Sequence, residues 1–285
     1  MITQPGIKIN LGLEVLRKRP DGYHDLETLF YPLDNFHDTL EVVKGDEYCK
    51  TLAGLTEKYG SEEGKLVQAI SEDGKIMITI ARKEGVHWDP LKDLTVKAYR
   101  LLEADFELPA VKICLEKTSP VGAGLGGGSA DGAFALKMIN EIFSLGLSKE
   151  ALVGYASRLG SDCALFIYNE PVMGEGRGEI LTPYPLDLKG YRIEVTPFND
   201  ISVSTAEAYG GIVPRDVSGQ CGLPLKEILA MPVEKWKGLL VNDFEETVFR
   251  KHPVLAAEKE KLYEKGAVYA SMSGSGSALF AIYKV

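Results

Sequence analysis

The run Pro120-Val121-Gly122-Ala123-Gly124-Leu125-Gly126-Gly127-Gly128-Ser129-Ala130 carries five glycines in the seven positions 122–128. Glycine lacks a Cβ, so such a backbone can adopt left-handed dihedrals and bring its N–H groups against a ligand. A helix beginning at Ser129 would add unpaired N–H donors and the positive end of a dipole, which favour a phosphate. Two other phosphate loops are excluded by their own requirements. The Walker pattern needs Gly-Lys-Ser/Thr, and Gly64-Lys65-Leu66 and Gly74-Lys75-Ile76 lack it. Gly122, Gly124 and Gly127 spell G-x-G-x-x-G, but residues 143–148 read as a helix end and a loop, without the acidic strand end of a dinucleotide fold. The segment therefore predicts a phosphorylated nucleotide.

Further segments carry chemistry. In Lys8-Ile9-Asn10 the polar residues alternate with an apolar one, so both side chains leave one face of an expected strand, whether solvated or turned to a ligand. Pro20-Asp21-Gly22 is a turn signal that places Tyr23 and His24 just past a tip, as a base-stacking pair or a structural one. Gly160-Ser161-Asp162 sets one acid between a helix and an apolar run read as a strand, where Asp is also a common turn former. Ser271-Met272-Ser273-Gly274-Ser275-Gly276-Ser277 reads as a hairpin turn or a hydroxyl-lined wall beside phosphates, and Gly174 to Glu179 as another glycine-rich turn.

Elements that must position these residues are interleaved. Strands are expected at 39–43, 76–81, 111–116, 163–168, 191–195 and 278–283, and helices at 94–102, 129–143, 152–159, 242–249 and 255–265, with Ser148 a cap. A chain of 285 residues, 45% apolar and 26% charged, can bury a sizeable core. No apolar run approaches the ~20 residues of a membrane span, and the start of the chain has no signal-peptide pattern, so a cytoplasmic location is expected. A net charge of −9 argues against nucleic acid or a membrane surface as partner. Cys49, Cys114, Cys163 and Cys221 lie far apart with no C-x-x-C pair, and are expected as reduced thiols rather than disulfides or a zinc site.

Taken in order along the chain, these segments resemble the GHMP kinase superfamily, and within it the branch acting on a diphosphocytidyl ester of methylerythritol. The block from Lys8 to Phe30, including Arg19-Pro20-Asp21-Gly22-Tyr23-His24, is the most specific part of the match, and Glu175 to Glu179 and Asn242-Asp243-Phe244-Glu245 also fit. The resemblance implies an α+β, two-domain GHMP kinase fold, with a ribosomal-protein-like ATP-binding domain over 1–175 and a ferredoxin-like domain over 176–285. It implies transfer of the ATP γ-phosphoryl group to a hydroxyl, with Mg2+ held mainly by phosphates. By motif, Asp162 would be the catalytic carboxylate and Lys8 the ammonium that keeps it ionised and neutralises the phosphoryl group. Asn10, Tyr23, His24 and Thr205 would bind substrate. Asp93, Leu94, Lys117, Pro120, Gly122, Gly124, Leu125, Gly126, Gly127, Gly128 and Ser129 would bind ATP. No dedicated metal cluster is expected. The partners are the small-molecule substrate and ATP, on a monomer or homodimer.

The sequence also departs from that family. Asp93 stands where Asn is usual, Ser161 and Gly132 where Ala is usual, and residues 45–75 form a charged, glycine-dotted surface insertion. Two alternatives remain: a kinase of the same fold for another small alcohol, which Tyr23-His24 argues against, and a non-catalytic nucleotide-binding regulator, which retention of Lys8 and Asp162 argues against.

Overall fold

The computed structural model describes residues 1–218 and 222–285. In chain order the strands are β1 (Ile2–Thr3), β2 (Ile7–Lys18), β3 (His24–Leu33), β4 (Thr39–Lys44), β5 (Leu66–Ile70), β6 (Ile76–Arg82), β7 (Val111–Lys117), β8 (Val172–Glu175), β9 (Ile180–Pro183), β10 (Tyr191–Thr196), β11 (Tyr269–Met272) and β12 (Leu279–Lys284). The α-helices are α1 (Leu52–Tyr59), α2 (Leu94–Glu103), α3 (Gly127–Ile142), α4 (Lys149–Leu159), α5 (Cys163–Tyr168), α6 (Thr205–Tyr209), α7 (Arg215–Ser218), α8 (Leu225–Leu229), α9 (Phe244–Lys251) and α10 (Pro253–Glu264).

Two compact units result, and they are interleaved in sequence. The first comprises Met1–Ile7, Phe36–Ser119 and Gly127–Asn169; the second comprises Lys8–Asn35, Pro120–Gly126 and Glu170–Val285. This grouping cuts across a division at 175, because the hairpin of β2 and β3 belongs to a sheet completed by later residues. Thr28 lies opposite Gly174 and Phe30 opposite Val172.

The first unit is built on the sheet β1-β4-β7-β6-β5. Strands β6 and β7 are parallel, Ile76 opposite Val111, which requires the crossover that α2 supplies. Along β7, Val111, Ile113, Leu115 and Lys117 alternate with more exposed residues apart from the buried Cys114, as a covered strand demands. Helix α2 buries Val96, Tyr99 and Leu102, spaced three apart, after Asp93 caps it. Ser148 caps α4 by accepting from the Ala151 N–H at 3.2 Å, as its type and place predicted.

The run 163–168 is the helix α5, not a strand. Cys163 to Ile167 are all buried, so the run shows no exposed face whose period would separate the two conformations. Asn169 ends it at φ 52°, the left-handed position that Asn tolerates as a helix stop. The segment 45–75 is more than a surface excursion. It contains α1, which buries Leu55 and Tyr59 against Ala81 and Cys114, and β5, which pairs with β6.

In the second unit the sheet β2-β3-β8-β9 and the antiparallel sheet β10-β12-β11 share this unit with α6 to α10. One core joins Leu13 and Val15 to Phe244, Val248, Leu255, Met272 and Leu279. Cys221 falls within 219–221, so its expectation lies outside the described residues. Among the described residues no helix is long and apolar enough to cross a membrane.

Candidate active site

In the second unit the glycine run is fixed by its own dihedrals and by the turn after β11. Gly122, Gly124 and Gly126 have φ of 73°, 77° and 72°, a region L side chains avoid. At Gly124 a Cβ would lie 2.3 Å from the Ser273 carbonyl oxygen, so even the smallest side chain is excluded. The Ser273 hydroxyl donates to the Gly124 carbonyl at 3.1 Å, and the Ala278 N–H to the Ala123 carbonyl at 3.1 Å.

Strand β2 brings Lys8 to the same place. Its backbone N–H donates to Leu125 O at 2.8 Å, and its ammonium to Gly124 O and Asn10 Oδ1, each at 2.7 Å. Asn10 donates in turn to Thr28 Oγ1 at 3.0 Å. The alternation predicted for Lys8 and Asn10 holds, and at 3% and 2% exposure neither is a solvated strand face. Asn242 pins the turn 273–277 by donating to Met272 O at 2.8 Å and Gly274 O at 2.9 Å. Sequence reasoning gave Ser273 and Asn242 no individual role and missed Thr28. The parity of Thr28 with His24 along β3 was the available signal.

In the first unit, the helix that follows the loop starts at Gly127, two residues earlier than expected. Beneath that start lies the buried Lys117. Its ammonium donates to Asp38, to Asp131 at 2.6 Å and to Ser119 Oγ at 3.0 Å. A Cβ on Gly127 would stand 2.3 Å from Ser119 Oγ and 3.1 Å from Lys117 Nζ, so the helix rests directly on this cluster. Asp38 also accepts from the Thr118 and Ser119 N–H groups and the Ser119 hydroxyl, each at 2.7 Å.

These environments divide the charges. Burial pushes the Asp131 carboxyl well above the usual range, and among the described residues its Oδ1 has no hydrogen-bond partner. Burial also opposes charge on Asp38 and Lys117. For Asp38 the lysine and three hydrogen bonds prevail and lower its pKa; for Lys117 the two carboxylates prevail and raise it. Lys117 thus pairs with both carboxyl groups, and burial bears hardest on the charge of Asp131.

Gly128 is open, since a Cβ there would meet nothing within 4 Å, and Ser129 is half-buried in the first turn of α3. Asp162 occupies the residue before α5, where it receives the Ser161 hydroxyl at 3.4 Å. Burial pushes the neighbouring Cys163 thiol up to about 12. Asp93 caps α2, accepting from the Thr95 N–H at 2.9 Å and hydroxyl at 2.7 Å, and from Trp88 Nε1 at 3.2 Å. That explains the substitution of the usual Asn, for Asn and Asp cap about equally well. Gly132 is explained too: a Cβ would be 3.0 Å from Leu94 Cβ and 2.8 Å from Leu159 Cδ2.

The expected base-binding residues lie in the second unit. His24 stacks on Tyr209, ring centroids 4.6 Å apart and 13° from parallel, and Tyr209 meets the Phe244 edge. Partial burial and the charge of Lys18 lower the His24 pKa, which favours the neutral ring. Tyr23 is 57% exposed, with the Arg177 guanidinium 4.9 Å over its ring. Thr205 is exposed at the first position of α6.

Comparison with known proteins places this arrangement. The family model for the GHMP kinases N terminal domain matches residues 93–170, and that for the GHMP kinases C terminal matches 227–284. A 4-diphosphocytidyl-2-C-methyl-D-erythritol kinase of Bacteroides thetaiotaomicron is 45% identical, over 100% of this chain and 92% of that protein. The protein of that name from Parabacteroides distasonis is 42% identical over the same shares. A solved 4-(cytidine 5'-diphospho)-2C-methyl-D-erythritol kinase superposes with a TM-score of 0.73 at 29% identity, covering 99% of this chain and 89% of that one. Methanococcus jannaschii mevalonate kinase, 12% identical with a TM-score of 0.65, shares the fold alone. Both parts of the GHMP kinase fold are therefore present, in order. The chain belongs to the 4-diphosphocytidyl-2-C-methyl-D-erythritol kinase family.

Proposed function

We propose that the chain uses ATP to phosphorylate the 2-hydroxyl of 4-diphosphocytidyl-2-C-methyl-D-erythritol, a step of the cytoplasmic non-mevalonate route to isoprenoid precursors. The observation that carries this reading is 45% identity, over the whole chain, to a kinase of that name. The left-handed glycines and the open first turn of α3 support it physically, because they leave main-chain N–H groups for phosphate oxygens.

In the reaction the substrate oxygen attacks the γ-phosphorus, the bond to the β–γ bridging oxygen breaks, and ADP leaves. The hydroxyl proton passes to the Asp162 carboxylate, which orients the nucleophile. The Lys8 ammonium opposes the charge on the moving phosphoryl group, and its bonds to Asn10 and Gly124 fix where it acts. Asn10 also positions the substrate. The loop around Pro120, Leu125 and Gly126 cradles phosphates, while Lys117 acts on the nucleotide through the floor of the first turn, its three donors being spent on Asp38, Asp131 and Ser119. Asp93 and Leu94 flank the adenine. Mg2+ bound with ATP would neutralise phosphate charge, and Ser129, with a hydroxyl beside the open Gly128, would be a protein ligand to it. Tyr23 stacks on cytosine, the neutral His24 offers one donor and one acceptor to its edge, and Thr205 adds a hydroxyl.

An ADP-release assay with the cytidyl substrate, mevalonate and homoserine tests this. Turnover is expected with the first alone. Asp162→Asn should lower kcat by about 100-fold or more while leaving nucleotide affinity nearly unchanged. Comparable rates on another alcohol would reassign the substrate. Nucleotide binding without any product would make the chain a regulator.

A further inference from the structure

Two cysteines separated by 65 positions meet a buried acid on the sheet of the first unit (114 − 49 = 65). Glu41 and Cys114 are direct partners in the antiparallel β4–β7 ladder, so their side chains leave the same face. Cys49 arrives from the chain between β4 and α1. A carboxylate oxygen of Glu41 and the two sulfurs all lie within 4.8 Å of one another, and among the described residues this is the one such group of three. Glu41 and Cys114 are each 1% exposed, whereas Cys49 is half-buried.

The carboxylate is already oriented. Its Oε1 accepts from the Lys50 N–H at 2.9 Å, and its Oε2 from the Thr51 N–H at 2.8 Å and hydroxyl at 2.7 Å. One lone pair on Oε1 remains, and outer hydrogen bonds of this kind hold ligating carboxylates in place. We propose that Glu41, Cys49 and Cys114 form a binding site for one thiophilic divalent cation, zinc being the natural occupant. Two sulfurs with one oxygen select such an ion over Mg2+ or Ca2+, which take oxygen ligands.

A tetrahedral zinc with sulfur at about 2.3 Å needs its donors roughly 3.5–4 Å apart. From separations of up to 4.8 Å, binding would have to draw the donors closer by side-chain rotation. The fourth position goes to water on the half-exposed Cys49 side. Binding exchanges two S–H bonds for two S–Zn bonds and releases both protons to solvent. The ion would fasten the segment leading into α1 onto the sheet, beside the small core of Leu55, Tyr59 and Ala81.

The test uses the full reduced chain, stripped with a chelator and titrated with Zn2+ or Cd2+ alone. One equivalent should bind, with a thiolate-to-cadmium absorption band and a rise in Tm. Cys49→Ser and Glu41→Gln should each weaken binding by about ten-fold or more. Cys163→Ala should leave it unchanged. If Cys114→Ala fails to fold, the half-exposed Cys49 still decides the matter. The proposal is overturned if the reduced chain takes up no metal or if uptake survives Cys49→Ser. It is equally overturned if the two thiols form a disulfide on mild oxidation and bind nothing when reduced.

Discussion

Replacing Lys117 by Met tests the charge division beneath α3. The ammonium is the single cation in a buried cluster of two carboxyl groups, 5% exposed, and its three hydrogen bonds vanish with it. Removing one partner of a buried ion pair costs about 3–5 kcal/mol, because the other charge is left uncompensated. The low end applies here. Burial already raises the Asp131 pKa, so the loss falls mainly on Asp38, and Asp38 keeps the Thr118 and Ser119 hydrogen bonds. A loss of about 3 kcal/mol is a large part of the ~5–15 kcal/mol that holds a domain together. It should lower Tm by roughly 5 °C in a protein of this size.

The pH dependence supplies the sharper test. In the intact protein the folded-state pKa of Asp38 is depressed, so its contribution is present above the unfolded value and lost as pH falls through the folded one. Without Lys117, burial is the dominant influence, and the folded pKa rises above the unfolded value. Asp38 then favours the fold below its unfolded pKa, and that contribution is lost as pH rises through the folded one. Thermal unfolding of Lys117→Met should therefore show a deficit that shrinks from about pH 8 to about pH 5. Asp38→Asn in the same background should recover much of it at neutral pH. A deficit independent of pH, or a Tm equal to that of the intact protein, would refute the charge assignment.

Gly124→Ala places a methyl group at φ 77° and 2.3 Å from the Ser273 oxygen, so it should raise the ATP KM about ten-fold or more in steady-state kinetics. Gly122→Ala, at φ 73° but with nothing within 4 Å, should lose only about 1–2 kcal/mol of stability in denaturant unfolding. Gly132→Ala gains up to ~1 kcal/mol of helix propensity, but contacts at 2.8 Å and 3.0 Å reverse it, so unfolding should show a net loss of about 1 kcal/mol. Tyr23→Ala should raise the KM for the cytidyl substrate far more than that for ATP; parallel increases would point to a folding role.

What the sequence disclosed and what it concealed follow from the range of the interactions. The loop glycines 122, 124 and 126, the shared face of Lys8 and Asn10 and the cap at Ser148 were legible because each is a local rule of dihedral, parity or hydrogen bonding. The run 163–168 was not, because a wholly buried helix and a wholly buried strand present the same apolar string. The Lys117 cluster joins residues 79 and 14 positions away, and no periodicity links them. Glu41, Cys49 and Cys114 meet only through the register of β4 on β7. Asp93 and Gly132, departures when compared with the family, became ordinary once their surroundings were known: one is a helix cap and the other has no room for a methyl group.

The chain carries a net charge of −9 and still has to hold a polyphosphate. Lys117 adds no net attraction at the start of α3, because Asp38 cancels it within hydrogen-bonding distance. Its value is steric: an ammonium held from three sides is a rigid floor on which a glycine can start a helix. On the function proposed here, attraction for phosphate falls to main-chain N–H groups. Their partial charges are fixed in direction by dihedrals that only glycine holds comfortably, and they need no counter-ion. That division explains why the glycines cannot be exchanged for lysines. A lysine would add charge, but it would bring a Cβ to positions such as 124, where a backbone oxygen already stands 2.3 Å away.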